Sequence, residues 1–148
     1  MLLFALAAGA MSGVVLLFFS HLAPVFGAGN FIRDLDQPHI CGQKLTRREA
    51  HFLGALVHVL MSSFFGGAYA YLVMIHLFSG HELISLLGWS LILSLFVGGV
   101  ILPLEGHGIF GVKEDAWFPV DLVLTNAAWS IIFWWIMQLW PVSAVWNM

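Results

Sequence analysis

The 148-residue chain has few charged side chains, five Lys or Arg and eight Asp or Glu, and one cysteine. So few basic residues argue against a nucleic-acid-binding surface, which needs clustered Lys and Arg. A single cysteine, Cys41, excludes an internal disulfide and a CxxC redox or zinc site. The sequence also lacks a phosphate-binding glycine motif, a nucleophile elbow and an HExxH metal motif. These absences leave open whether the protein is an enzyme.

What the chain has instead is long apolar runs. Hydrophobic residues make up 61% of the sequence, and four apolar stretches cover about 2–25, 52–78, 83–104 and 120–140. Each stretch is near or above the roughly 20 residues that a helix needs to cross a bilayer. The connecting segments are too short to build a core of their own. We therefore predict an all-α integral membrane protein, one four-helix bundle over residues 1–148.

The basic residues predict the orientation of this bundle. All of them lie in the first and third connecting segments: Arg33, Lys44, Arg47, Arg48 and Lys113. Because cytoplasmic loops are enriched in Lys and Arg, the segments at about 26–51 and 105–119 are predicted to be cytoplasmic, with both termini outside. The first stretch has no positively charged start, so we expect a retained helix, not a signal peptide. A bacterial-type inner or plasma membrane is the expected location.

Local signals predict where two of the helices begin. Thr46 stands three residues before Glu49, a spacing typical of a capping box that opens the second helix. Pro119 suits the first turn of the fourth helix, where its missing N–H costs nothing.

Small residues recur every four positions in three of the predicted helices. The rows are Ala5, Gly9 and Gly13 in the first helix, Ser62, Gly66 and Ala70 in the second, and Ser90, Ser94 and Gly98 in the third. Within lipid, helices associate through close packing of such residues and through interhelical hydrogen bonds. Each row therefore predicts a helix contact face, although the neighbour belongs either to the same chain or to another copy.

Ionisable groups continue these rows toward the predicted cytoplasmic end. His21 and His58 lie deepest, whereas the groups near the membrane interface are His51, Glu105, His107 and Asp121. Because a charge at membrane depth costs about 2.5–3.5 kcal/mol on insertion scales, such residues usually face the bundle interior. A neutral histidine there either joins helices by hydrogen bonds or binds a ligand. We take His21 and His58 as candidate cofactor ligands.

Several functions fit this pattern. The leading hypothesis is an accessory or structural subunit of a larger membrane complex, packed against lipid and against other subunits or copies of itself. One alternative is a haem- or chlorin-binding subunit that uses His21 and His58. Another is a site for a divalent transition metal, or a proton or ion path. Its candidate residues are His51, His58, Glu105, His107 and Asp121.

Overall fold

The computed structural model describes residues 2–22, 39–40, 43–44, 46–79, 82–104, 106–113 and 116–139. These residues form four long helices: α1 (Leu2–Leu22), α2 (Arg47–Met74), α3 (Leu83–Phe96) and α4 (Phe118–Leu139). With α3 extended to Leu104, all four are long and apolar enough to span a membrane. The long elements are all helical, and four such apolar helices are compatible with a small membrane protein.

The start of α2 confirms the predicted capping box. The hydroxyl oxygen of Thr46 accepts a hydrogen bond from the Glu49 N–H at 3.3 Å, and the Glu49 carboxylate accepts one from the Thr46 N–H at 2.9 Å. α2 therefore begins at Arg47, as the capping box predicts, and the part of it apolar enough to span a membrane begins at Phe52, the predicted start of the apolar stretch. The predicted end of that stretch at residue 78 was wrong. The helix ends at Met74, and His76 takes a left-handed φ of 60°.

The third span is not the uniform α-helix that the sequence predicted over 83–104. After α3 the chain widens into a π-helix over Val97–Ile101 and closes with one turn over Leu102–Leu104. Pro103 explains the irregularity, since it has no N–H to donate to the turn before it. The N–H of Leu102 bonds to the carbonyl of Val97, five residues back.

The first connecting segment contains more structure than the predicted loop over 26–51. In addition to the first turns of α2, it holds two short antiparallel strands, β1 (His39–Ile40) and β2 (Gln43–Lys44), with His39 opposite Lys44. The predicted continuation of α1 over 23–25 and of the fourth span to residue 140 lies outside the described residues.

The small-residue rows of α1 and α2 pack on each other within one chain. A Cβ atom added at Gly9 would collide with the backbone carbonyl of Ser62, and one added at Gly13 would lie 2.6 Å from the Ser62 hydroxyl oxygen. Ser63 also donates a hydrogen bond from its hydroxyl to the carbonyl of Leu6 at 2.9 Å. The structure therefore assigns these rows to intramolecular packing.

Large aromatic side chains join α2 to the third and fourth spans. Tyr69 is almost fully buried, and its ring centroid lies 5.8–6.2 Å from those of Phe78, Trp89 and Phe133. Its hydroxyl donates to the Ser79 carbonyl at 2.9 Å. This cluster fills the core near the short turn between α2 and α3, while many other large apolar side chains face outward, where lipid would contact them.

Candidate functional site

Polar side chains line the inside of the bundle, and most belong to serine. The buried ones are Ser12, Ser20, Ser62, Ser90, Ser94 and Ser130. Ser12 donates to the Ala8 carbonyl at 2.7 Å, and Ser94 donates to the Ser90 carbonyl at 2.8 Å. A serine that bonds to the preceding turn of its own helix satisfies its proton without a partner from elsewhere. These two hydroxyls therefore need no bound ligand to satisfy their protons.

A side-chain hydrogen bond connects the third and fourth spans. The side-chain amide of Asn126 donates to the hydroxyl oxygen of Ser94 at 3.0 Å. Since that same hydroxyl donates its proton to Ser90, the oxygen remains free to accept. The bond is a polar link between these two helices.

His58 lies inside the bundle at the same depth as this bond. A Cβ atom at Gly66 would lie 3.0 Å from the Phe133 ring, so these two residues of α2 and α4 are level with each other. His58 and Thr125 each lie eight residues earlier on these helices, about 12 Å along the axis. Because α2 and α4 cross the bundle in the same direction, His58 and Thr125 share one depth. Together with Asn126 and Ser94, we call them the polar layer.

Two side-chain atoms of the polar layer are buried without a hydrogen-bond partner. They are Nε2 of His58 and Oγ1 of Thr125. A buried polar atom that lacks a partner costs about 1–3 kcal/mol, so such positions are unusual in a packed interior. Nε2 of His58 is therefore the atom of the layer best suited to ligate or hydrogen-bond a bound group.

His21, the other candidate cofactor ligand, is in a different environment. It occupies the last turn of α1, it is exposed, and its Nδ1 atom lies 2.7 Å from the carbonyl oxygen of Leu17. Gly13 faces Ser62, so these two residues mark one depth in the bundle. His21 lies eight residues beyond Gly13, whereas His58 lies only four residues from Ser62 in the same direction. His21 is therefore about 6 Å closer than His58 to the end of the bundle where α1 ends and α2 begins. The structure does not bring the two histidines to one depth, and joint ligation of a cofactor by both stays a prediction.

The predicted metal ligands are only partly described. His107 is half-buried in the segment after the third span, and Asp121 is half-buried in the first turn of α4. Glu105 and the side chain of His51 lie outside the described part. Among the side chains that are described, no three His, Cys, Asp or Glu residues lie close enough together to hold a metal ion. A site built from the full set of five stays a prediction.

The segment between the third and fourth spans folds back onto the bundle. Its 3-10 turn, Ile109–Gly111, places the Phe110 ring directly over Gly98 of the π-helix, and Phe110 takes a left-handed φ of 55°. Gly111, with φ of 71°, leaves room for the ring of Phe118. The sequence predicted this segment only as a connecting loop over about 105–119. The sequence offered one signal for this contact: a glycine of the third span, Gly98, is followed twelve residues later by an aromatic residue of the loop, Phe110.

No protein family, curated protein or solved structure matches the sequence. The candidate site is therefore defined by the geometry of this chain alone.

Proposed function

We propose that the chain is an accessory subunit of a larger complex in a bacterial-type inner or plasma membrane. The observation that carries the proposal is a pair of outward glycines on the third span, Gly88 and Gly99. A Cβ atom added at either one would meet no other atom within 4 Å. They lie eleven residues apart, about three helical turns, and the exposed side chains of Ile92 and Leu95 lie between them on the same outward face, although Gly99 belongs to the π-helix.

Gly88 and Gly99 belong to a larger surface, which we call the outer face of the third span. It consists of Ile84, Gly88, Ile92, Leu95 and Gly99, and its three large side chains are all exposed. Glycine costs a helix about 1 kcal/mol relative to alanine, so two glycines without an internal contact weaken the span. Small residues between large ones let a second transmembrane helix approach closely and offset that cost. This face fits a helix of another subunit.

The proposed orientation follows the basic residues. The exposed side chains of Arg48 and Lys113 lie at the end of the bundle where α1 ends and α2 and α4 begin. We call this the basic end and propose that it faces the cytoplasm, because Lys and Arg accumulate on that side. Both termini then lie outside.

Purification of the intact chain in a mild detergent, after cross-linking in native membranes, tests the subunit role. We expect a fixed stoichiometry with other chains that is lost in Gly88→Leu and Gly99→Leu. Gly54→Leu is the matched control, because Gly54 of α2 also has open space around it. A single monodisperse protein, unchanged by the two substitutions, would contradict the proposal.

A second candidate function rests on the buried, unpartnered Nε2 atom of His58. Neutral imidazole is a common axial ligand of haem iron and a common ligand of zinc, and a buried histidine also serves proton relays. An absorption spectrum with elemental analysis of gently purified protein distinguishes these uses. A haem or chlorin band, or bound metal, that is lost in His58→Ala but kept in His76→Asn supports ligation; His76 lies in the exposed outer turn.

Colourless, metal-free protein from a cofactor-replete host leaves the proton or ion path as the remaining use of His58. Flux into liposomes that equals the flux into empty vesicles would exclude that use. His58 would then be a structural residue of the interior.

A further inference from the structure

The segment between the third and fourth spans joins these two helices at the basic end. We call its residues 106–113 the strap. The strap contacts the third span through the Phe110 ring, which lies on Gly98, and it contacts α4 through Gly111, which lies against the ring of Phe118. Phe118 is the first residue of α4. The strap therefore bridges the third span and α4 where α4 enters the bundle.

The hydrogen bond between Asn126 and Ser94 lies farther inside the bundle than the strap. Gly98 follows Ser94 by four residues, about 6 Å along the third span toward the basic end. Phe118 precedes Asn126 by eight residues, about 12 Å along α4. Both contacts of the strap therefore lie between this bond and the basic end. Because Gly98 and Ser94 are both buried, the Phe110 ring covers the inward side of the third span, which carries the bond.

The backbone of Phe110 has a conformation that few residues with a Cβ atom adopt. Its φ of 55° is left-handed, and such a conformation persists only where the surroundings hold the residue in place. Here the contact between the ring and Gly98 does so. Gly98 itself belongs to a π-helix, an irregularity that often marks functional positions. Loss of the ring contact would thus free Phe110 to take an ordinary backbone conformation, which gives the strap two alternative positions.

The strap keeps its own shape through internal contacts. The backbone N–H of Lys113 donates to the carbonyl of His107 at 3.3 Å, and the Lys113 ammonium donates to the carbonyl of Gly106 at 3.5 Å. The strap begins at Gly106, whose φ of 91° suits a residue without a Cβ atom. Segments of this kind move about a few residues at the end of a helix. We therefore expect the strap to move as one piece about Gly106 and to carry Phe110 with it.

We propose that the strap is a gate with two positions. In the position that the structure shows, the Phe110 ring closes the space between the third span and α4 to water from the basic end. In the other position the ring leaves Gly98, and water reaches the hydrogen bond between Asn126 and Ser94. The gate involves neither the outer face of the third span nor a ligand of His58, so its test does not depend on either proposed function.

Labelling of a cysteine placed at this hydrogen bond tests the gate. Ser94→Cys is combined with Cys41→Ser, so that the chain carries one thiol, and the protein is placed in nanodiscs, which expose both ends to solution. A positively charged methanethiosulfonate reagent then reports whether water reaches the thiol. We expect slow but complete labelling with Phe110 in place and at least tenfold faster labelling in Phe110→Ala. Ile109→Ala, a change to the neighbouring exposed side chain of the strap, is the matched control and should leave the rate unchanged.

Two further variants distinguish a gate from a general loosening of the bundle. Ser12→Cys places the thiol in the buried interior of α1 and should label equally slowly with and without the Phe110 ring. Gly98→Ala keeps the ring but occupies its place, so it should speed labelling at Ser94→Cys several-fold even if Phe110→Ala fails to fold.

Three outcomes would overturn the proposal. The first is an equal labelling rate of Ser94→Cys in Phe110→Ala and in Ile109→Ala. The second is an equal acceleration of Ser12→Cys, which would indicate loosening throughout the bundle. The third is a thiol at Ser94→Cys that never reacts while Phe110 is in place, since the ring would then be a fixed plug.

Discussion

A Cβ atom added at Gly66 of α2 would lie 3.0 Å from the Cα atom of Gly9 in α1. The two helices therefore touch through their backbones, with no side chain between them. Within lipid, hydrophobic burial gives little drive for helices to associate, so such close approach is a main source of stability. Because backbone atoms have little freedom to shift, even one added methyl group should disturb this contact.

We expect Gly66→Ala to lower the free energy of unfolding by roughly 1–3 kcal/mol, the usual cost of overpacking. Unfolding in mixed micelles of increasing SDS fraction, followed by circular dichroism, measures the change. Gly54→Ala is the matched control on the same helix, where no atom lies within 4 Å. It should leave stability unchanged or raise it by up to about 1 kcal/mol, since alanine favours helix. Equal stability of the two variants would argue against the backbone contact.

A second prediction concerns Gly98 and Phe110. A methyl group at Gly98 would collide with the Phe110 ring, so Gly98→Ala should displace the segment 106–113. Trypsin should then cleave after Lys113 several-fold faster than in wild type. Gly99→Ala is the neighbouring control, because Gly99 has open space around it.

Adding Phe110→Ala to Gly98→Ala separates steric displacement from a general loss of stability. The collision disappears with the ring, so the double variant should cost less stability than the two single changes added together. Strict additivity of the two changes would show that the Phe110 ring does not rest on Gly98.

The features that the sequence predicted well are those set by local spacing. The capping box at Thr46 needs only Glu49 three residues later, and the four-residue rows predicted helix contact faces in α1 and α2. The turn over Ile109–Gly111 escaped prediction because it depends on tertiary contacts. Gly98 was assigned to a helix contact, whereas its neighbour is Phe110 from the following segment.

The different surroundings of His21 and His58 show why residues spaced four apart along a helix stop sharing one face after a few steps. A step of four residues turns an α-helix by about 40° more than one full turn. His58 lies one step from Ser62 and keeps its ring nitrogen inside the bundle. His21 lies two steps from Gly13, so it has rotated by about 80° and is exposed. Extending the rows therefore did not predict the direction in which each histidine side chain points.

A third prediction concerns the pH dependence of the start of α2. Hydrogen bonds from the backbone and hydroxyl of Thr46 lower the pKa of the Glu49 carboxyl below its ordinary value of 4.5. A carboxylate whose pKa falls on folding stabilises the folded state above the unfolded pKa, and this stabilisation is lost as the pH falls through the folded pKa. We therefore expect the first turn of α2 to fray below about pH 4.5.

Hydrogen exchange at the Glu49 amide measures this fraying. Glu49→Gln cannot ionise, so its exchange at this turn should show no carboxylate-dependent opening after correction for the intrinsic pH dependence. Thr46→Ala should open the turn at neutral pH as well. A wild-type turn that stays equally protected down to pH 3 would contradict the coupling between cap and charge.

The Asn126 to Ser94 hydrogen bond supplies the last prediction. Asn126→Leu removes the donor, and interhelical hydrogen bonds in membranes are worth about 0.6 kcal/mol on average and up to about 1.7. We expect a loss in that range by SDS titration, and a double-mutant cycle with Ser94→Ala should recover it as a coupling energy. Thr125→Val is the matched control on α4, because its hydroxyl oxygen has no partner. Removing that hydroxyl should cost nothing, so a larger loss from Thr125→Val would indicate that Thr125 binds something in the polar layer.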